Sequence, residues 1–423
     1  MAEPKDGADK EPPVSDVVKM QAVLKQLNSA TKQKTAALYT LIGEKKFYVF
    51  LIASEGKVKV FDSSINKQDF NEKLIQLYVL LQKSAYDPRI LSEELYKIIF
   101  PQKLEDELKK EKIETLMWQL DGNLRYIPVA ALWDGEKYLV EKYQNIVLTR
   151  ADSQRLLEKT QPVWTGVGFG TAEDQQIDLL KDKHTIEFRG LFGVREELSN
   201  IFITDKRDQG ILKGEVYADK NFTKDKFYEA LKKRRQVVHI SSHFRFYEGD
   251  SALSFLVLGN GKALTLNEMK EQKGLFEGVE LLTLSACETG AVLPNADGRE
   301  IDGFAELAQR LGANAVMATL WQVPEFSTSD LMTKFYSNKQ KGKMNKAKAL
   351  RLAQLGLIRG TIQSKTKNGA EENLKGDESR KDTYLKIYNK IDKKYRPFYE
   401  PPPGTSYAHP YYWAPFILFG NWR

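Results

Sequence analysis

The sequence predicts an α/β protein: a mainly parallel sheet covered by helices on both faces, preceded by a half of mixed α/β structure. Two observations carry this expectation. From residue 163 onward, short β-forming runs alternate with amphipathic stretches, the order expected when the crossovers between parallel strands are helices. Before residue 153 the order differs, with a meander of strands followed by consecutive helical patterns. Hydrophobic residues make up 42% of the 423 positions and aromatics 11%, enough for a real core.

Residues 1–16 are polar and rich in proline, and 1–34 is expected to be a partly disordered leader, neither signal peptide nor anchor. Within it, Val18, Met20, Val23, Leu24 and Leu27 fit a short amphipathic helix over 15–32. Residues 36–52 are rich in β-formers and broken by Gly43-Glu44-Lys45-Lys46, a hairpin signal, and 58–61 adds a third strand. Phe70, Leu74, Leu77 and Leu81, then Ile90, Leu91, Leu95, Ile98 and Ile99, recur at helical spacing. A charged piece, 104–112, leads to a strand at 115–120, a turn at Asp121-Gly122-Asn123 and an apolar run over 124–132.

A boundary is expected at 153–162, dividing the chain into 35–160 and 161–423. The second part reads as strand 163–169, helix 195–203, strand 215–217 and helix 223–233 with Thr223 as its N-cap. Strand 236–242, helix 266–272 and strand 280–286 follow. Helix 302–311 stops at Gly312, strand 315–321 succeeds it, and helices occupy 327–336 and 345–358. Residues 361–406 form a charged insertion ending in Pro401-Pro402-Pro403-Gly404, and 410–420 is an aromatic, strand-like close.

Composition excludes several classes of function. One cysteine permits neither an internal disulfide nor a cysteine-rich zinc site, and a thiol that must stay reduced suits the cytoplasm. No apolar run is long enough to span a bilayer, so no membrane contact is expected. The net charge of +7 is moderate for this length. The lysine-rich insertion offers a surface for nucleic acid, but its interleaved Glu371, Glu372, Asp377, Glu378 and Asp382 dilute the field, and nucleic acid is not the expected partner. Gly166-Val167-Gly168-Phe169-Gly170 lacks the spacing and the later acid of a dinucleotide loop and reads as a strand end. No cofactor or metal is expected.

The single cysteine, Cys287, ends an apolar strand and is followed by Glu288-Thr289-Gly290, whereas a free cysteine is ordinarily a buried small hydrophobe. Of four histidines, His184 and His409 lie in polar or loop segments. His239 and His243 stand four apart on one strand, roughly 13 Å along it. If this strand and the cysteine strand are parallel neighbours, His243 and Cys287 emerge at one edge, while His239 lies mid-strand as a satisfied core histidine. A thiol beside an imidazole is a nucleophile with its base. The backbone N–H groups of Phe244 and Cys287 are then the candidate oxyanion donors.

His239-Ile240-Ser241-Ser242-His243, Leu284-Ser285-Ala286-Cys287-Glu288-Thr289-Gly290, Trp321-Gln322-Val323-Pro324-Glu325 and His409-Pro410-Tyr411-Tyr412-Trp413-Ala414 resemble the CHAT domain, a caspase-like family related to separase. Asp121-Gly122, Ile127-Pro128 and Ala131-Leu132-Trp133-Asp134-Gly135 resemble its first half, so the likeness runs from about residue 35 to 423. The resemblance implies a caspase-like fold, a His243–Cys287 dyad, endopeptidase activity on protein substrates, and a non-catalytic pseudo-half over 35–160. Family habit also implies a sensor or activator, and with no TPR array read here it is expected to be a separate protein or to act through the 361–406 insertion.

Two positions depart from the family pattern. Phe244 replaces the glycine usual after the catalytic histidine, which predicts a ring edging and narrowing the cleft and favours an alternative, a catalytically silent scaffold that binds a partner. Glu325 replaces an aspartate that, in separase-like relatives, faces the side chain before the cut. Glu325 is therefore the candidate for pairing with a substrate Arg or Lys, with a solvated loop carboxylate as the plain alternative.

Overall fold

The computed structural model describes residues 14–151, 155–179, 184–245, 253–285, 287–288, 299–362 and 378–423. The expected leader contributes α1 (Val14–Thr31), whose Leu24 and Leu27 are fully buried. The turn at Gly43 joins β1 (Thr35–Ile42) to β2 (Lys46–Ile52), and β3 (Lys59–Ser64) completes an antiparallel meander. Helix α2 (Lys67–Leu81) buries the apolar stripe read from its spacing, while α3 (Arg89–Ile99) buries Leu91, Leu95 and Ile99 and leaves Ile90 exposed. The charged piece is itself a helix, α4 (Gln102–Glu111), which turns Leu104 and Leu108 inward. After β4 (Thr115–Gln119), residues 122–126 and 129–131 form 3₁₀ turns. Then α5 (Leu139–Lys142) leads to β5 (Gln144–Val147).

The second part opens with β6 (Thr165–Gly170), followed by a hairpin of β7 (Gln175–Leu179) and β8 (His184–Phe188). The chain continues through α6 (Val194–Ile201), β9 (Phe202–Ile203), β10 (Leu212–Ala218) and α7 (Lys224–Leu231), with Thr223 capping as expected. Next come β11 (Val237–Ser241), β12 (Phe244–Arg245), β13 (Phe255–Val257), β14 (Ala263–Thr265) and α8 (Leu266–Glu271). The cysteine strand is split into β15 (Leu281–Leu284) and β16 (Cys287–Glu288). Helix α9 (Arg299–Arg310), β17 (Ala315–Thr319), α10 (Glu325–Gln340) and α11 (Lys346–Ile358) follow. The chain closes with α12 (Glu378–Lys390), α13 (Pro410–Trp413) and β18 (Phe416–Gly420).

Twelve strands make one sheet, ordered β3-β2-β1-β4-β5-β18-β17-β15-β11-β6-β10-β9. Its pairings are parallel apart from the β1–β3 meander and the β17–β18 pair. Both faces are covered, as β6 makes plain. Gly166 faces the ring of Phe202 just past α6, and Gly168 and Gly170 face α6 so closely that a Cβ on Gly168 would stand 2.7 Å from Phe202 and 2.9 Å from Leu198. Phe169 points the other way and packs on Phe227 of α7 at 4.9 Å. The glycine run is thus the flat strip on which a helix lies.

The described part of the charged insertion packs by its aromatics. Tyr384 stacks on Tyr78 of α2, Tyr388 meets Tyr86, and the Tyr395 hydroxyl donates to Glu94 at 2.6 Å. Residues 363–377 of that insertion lie outside the described residues. The close expected to be strand-like throughout begins instead as the helical turn α13, because His409 caps it and Pro410 occupies its first position.

Candidate active site

Strands β11 and β15 are parallel neighbours, Val237 through Ile240 facing Leu281 through Leu284. Both chains leave the main sheet at the same edge and pair again in a four-stranded sheet ordered β14-β13-β12-β16, where Phe244 stands opposite Cys287. Ile240 pairs with Leu284 and Phe244 with Cys287, so residues 241–243 on one chain match only 285–286 on the other. An extra residue of this kind re-aims side chains where a sheet ends. The backbone therefore sets His243 and Cys287 on adjacent chains at one edge. The Cys287 side chain lies outside the described part of the structure.

His243 is 5% exposed and held from several sides. Its Nε2 is 2.7 Å from the Arg189 carbonyl oxygen. A carbonyl only accepts, so Nε2 carries a proton, and whenever the ring is neutral Nδ1 is its acceptor nitrogen. The ring packs on Phe188 at 5.2 Å, and the backbone is locked where Val257 N–H donates to the His243 carbonyl at 2.9 Å. Ser242 hydrogen-bonds the Val257 carbonyl at 2.7 Å and Thr171 at 2.8 Å.

Phe244 does not edge a cleft. Its ring is 1% exposed and sits edge-on to Phe304 of α9 at 4.8 Å. Alternation along a strand sends His243 and Phe244 to opposite faces. The bond from Val257 N–H to His243 makes Phe244–Leu256 a non-hydrogen-bonded pair, so the Phe244 amide points away from β13.

Glu325 lies on no loop. Helix α10 starts two residues earlier than its spacing predicts, and half-buried Glu325 is its first residue. The carboxylate accepts a hydrogen bond from the Gly193 N–H at the start of α6. Gly193 is glycine for a reason of space, since a Cβ there would fall 2.6 Å from Glu325 Cβ. His239, fully buried, has Nε2 3.1 Å from Glu197 Oε1 and Nδ1 3.1 Å from the Tyr336 hydroxyl. It is the satisfied core histidine its mid-strand position predicts.

Sequence reasoning missed Arg189 and Glu197. Arg189 acts through its carbonyl, which no residue type announces. Glu197 did carry a signal, an acid on the apolar face that α6 forms with Val194, Leu198 and Ile201. Among the described residues no group of His, Cys, Asp and Glu is arranged to hold a metal, and no helix is long and apolar enough to cross a membrane.

The CHAT domain family model matches residues 89–421. The chain belongs to the CHAT domain family. The match starts at α3, so α1, the β1–β3 meander and α2 lie outside it, although β1 pairs directly with β4 of the matched part. No curated protein sequence matches significantly. Among solved structures, the complex of Porphyromonas gingivalis RgpB pro- and mature domains is similar at 9% identity and a TM-score of 0.40, covering 84% of this chain and 76% of that one. The Arg-specific cysteine proteinase gingipain R is similar at 8% identity and 0.39, covering 84% and 74%.

Proposed function

We propose that this CHAT protein is a cysteine endopeptidase working through a His243–Cys287 dyad. The observation that carries the reading is the parallel pairing that sets Phe244 opposite Cys287 beside a histidine whose proton is fixed on Nε2. In this mechanism His243 Nδ1 takes the thiol proton and the thiolate attacks the scissile carbonyl carbon. The oxyanion is met by the Phe244 and Cys287 amides. Collapse breaks the C–N bond as Nδ1–H protonates the leaving amine. Water, deprotonated by the same nitrogen, then hydrolyses the thioester and restores the thiol. A positioned histidine contributes about 10²–10⁴-fold in such transfers.

Glu325 is proposed to set a preference for Arg or Lys before the cut. Its carboxylate, oriented by the Gly193 amide, offers a charge-assisted contact. Work in the cytoplasm, which suits a thiol that must stay reduced, and a separate sensor or activator protein, which the family resemblance implies, belong to the same reading. The test is an acyloxymethyl ketone probe together with peptide-library cleavage by the wild type, Cys287→Ala and His243→Ala. Labelling confined to Cys287, cleavage abolished by Cys287→Ala and a 10²–10⁴-fold loss in His243→Ala are expected. Undiminished cleavage by Cys287→Ala would sink the proposal.

A further inference from the structure

The close seating of α6 on the glycine strip of β6 has a chemical result. It drives Glu197, 3% exposed, into the sheet next to the ends of the two strands that lead to the dyad. A buried carboxylate is costly unless its oxygens are bonded, and here the partners come from both strands. Oε1 is 3.1 Å from His239 Nε2 on β11. Oε2 accepts from Ser241 Oγ at 2.6 Å and from Ser285 Oγ at 3.4 Å.

Ser241 lies two residues before His243, and Ser285 two before Cys287. One carboxylate oxygen thus joins the last turn-off points of both chains before the site. A second tie lies behind it. The Tyr336 hydroxyl on α10 reaches His239 Nδ1 at 3.1 Å and Thr283 Oγ1 on β15 at 3.0 Å, again one group on both strands. Backbone pairing alone fixes β11 against β15 only as far as Ile240 and Leu284, and resumes at Phe244 and Cys287 with its count changed. The unpaired step between is where side-chain ties decide how far apart the two functional groups stand.

We propose that Glu197 is a positioning residue for the His243–Cys287 dyad, its carboxylate clamping the two strand ends through Ser241 and Ser285. The assignment rests on the dyad reading above. It differs from a merely structural buried cluster in a measurable way, because loss of the clamp changes the reactivity of the thiol as well as the stability of the fold.

Cys287 is the only cysteine, so alkylation by iodoacetamide reads that one thiol without ambiguity. A thiolate supported by an imidazolium reacts at pH 6, where an ordinary thiol near 8.5 is almost wholly protonated. The wild type is expected to show this low-pH plateau and His243→Ala to lose it. In Glu197→Gln and in the Ser241→Ala/Ser285→Ala double variant, the rate at pH 6 is expected to fall by roughly tenfold toward that of a free thiol. With a cleavable peptide, kcat should fall while KM holds. Folded variants that keep the wild-type alkylation profile, whatever their melting point, overturn the assignment. Should Glu197→Gln fail to fold, the serine double variant, which leaves Glu197 with His239, decides alone. Should His243→Ala keep the plateau, the dyad reading itself fails, and the role of Glu197 fails with it. The two failures are therefore distinguishable.

Discussion

His409 links the last CHAT segment to the first half of the chain, and its chemistry predicts where acid begins to unfold the protein. It caps α13, its Nδ1 accepting from Tyr411 N–H at 3.0 Å while Nε2 lies 2.8 Å from the Tyr86 carbonyl. Tyr399 stands edge-on to the ring at 4.7 Å. Both nitrogens are satisfied only in the neutral ring, because protonated Nδ1 no longer accepts the Tyr411 amide. Burial is the main cause that pushes its pKa from 6.5 down to about 4. The unfolded chain then takes up a proton near pH 6.5 that the folded chain refuses, so stability is full above 6.5 and falls as pH drops toward 4. That interval corresponds to about 3 kcal/mol in all, of which about 2 kcal/mol is lost between pH 7.5 and 5.

The assay is urea unfolding of the wild type and His409→Asn at pH 7.5, 6.5, 5.5 and 5. Asparagine keeps a capping oxygen but does not titrate. At pH 7.5 the variant should be less stable by about 1 kcal/mol for the lost bond to Tyr86. By pH 5 it should be the more stable of the two. Carboxylates held low by partners, such as Glu94, Glu105 and Asp134, lose their contributions at lower pH and are common to both proteins. Parallel stability curves for the two proteins across this range would refute the reasoning.

Replacing Glu325 with Gln removes the charge while keeping an acceptor for Gly193; the preference for Arg or Lys over norleucine in matched peptides should drop by tens of fold, the value of about 2 kcal/mol for a charged hydrogen bond, and an unchanged ratio would place the specificity elsewhere. Gly168→Ala puts a methyl 2.7 Å from Phe202 and 2.9 Å from Leu198, lifting α6 from the sheet. It should cost about 1–3 kcal/mol in urea unfolding and slow Cys287 alkylation at pH 6 along with it.

The alternation of strand and helix patterns was legible because each crossover helix is long enough to show its period, and parallel order then followed. That the strands leading to His243 and Cys287 are parallel neighbours was legible too, since both are runs of buried β-formers. The hairpin β7–β8 was readable but unread: Ile177 and Leu179, then Ile186 and Phe188, alternate with polar residues at period two. Strands β12 and β16 have two residues each, too few for any period, so the inward turn of Phe244 was out of reach of pattern reading. Glu325 was misplaced because Pro324 hid the start of its helix; a proline just before a helix marks a beginning as readily as an end.

The deepest difference concerns the boundary at 153–162. Composition and element order change there, yet the sheet runs unbroken across it, and the strand that makes it continuous is the last one in the chain. Fully buried β18 lies between β17, antiparallel, and β5, parallel. The junction to β5 is a single paired position, Phe419 with Val147, and side chains strengthen it. Asn421 donates to the carbonyls of Arg155 and Glu158 at 3.0 Å each, and Arg351 of α11 donates to the Val140 carbonyl at 2.6 Å. Separating the halves at this boundary would bare a central apolar strand edge on each, which invites association between chains. Closing the sheet also requires residues some 270 positions apart to meet, a contact order that slows folding. The first half therefore completes the sheet whose far strands, β11 and β15, lead the backbone to His243 and Cys287 at a common edge.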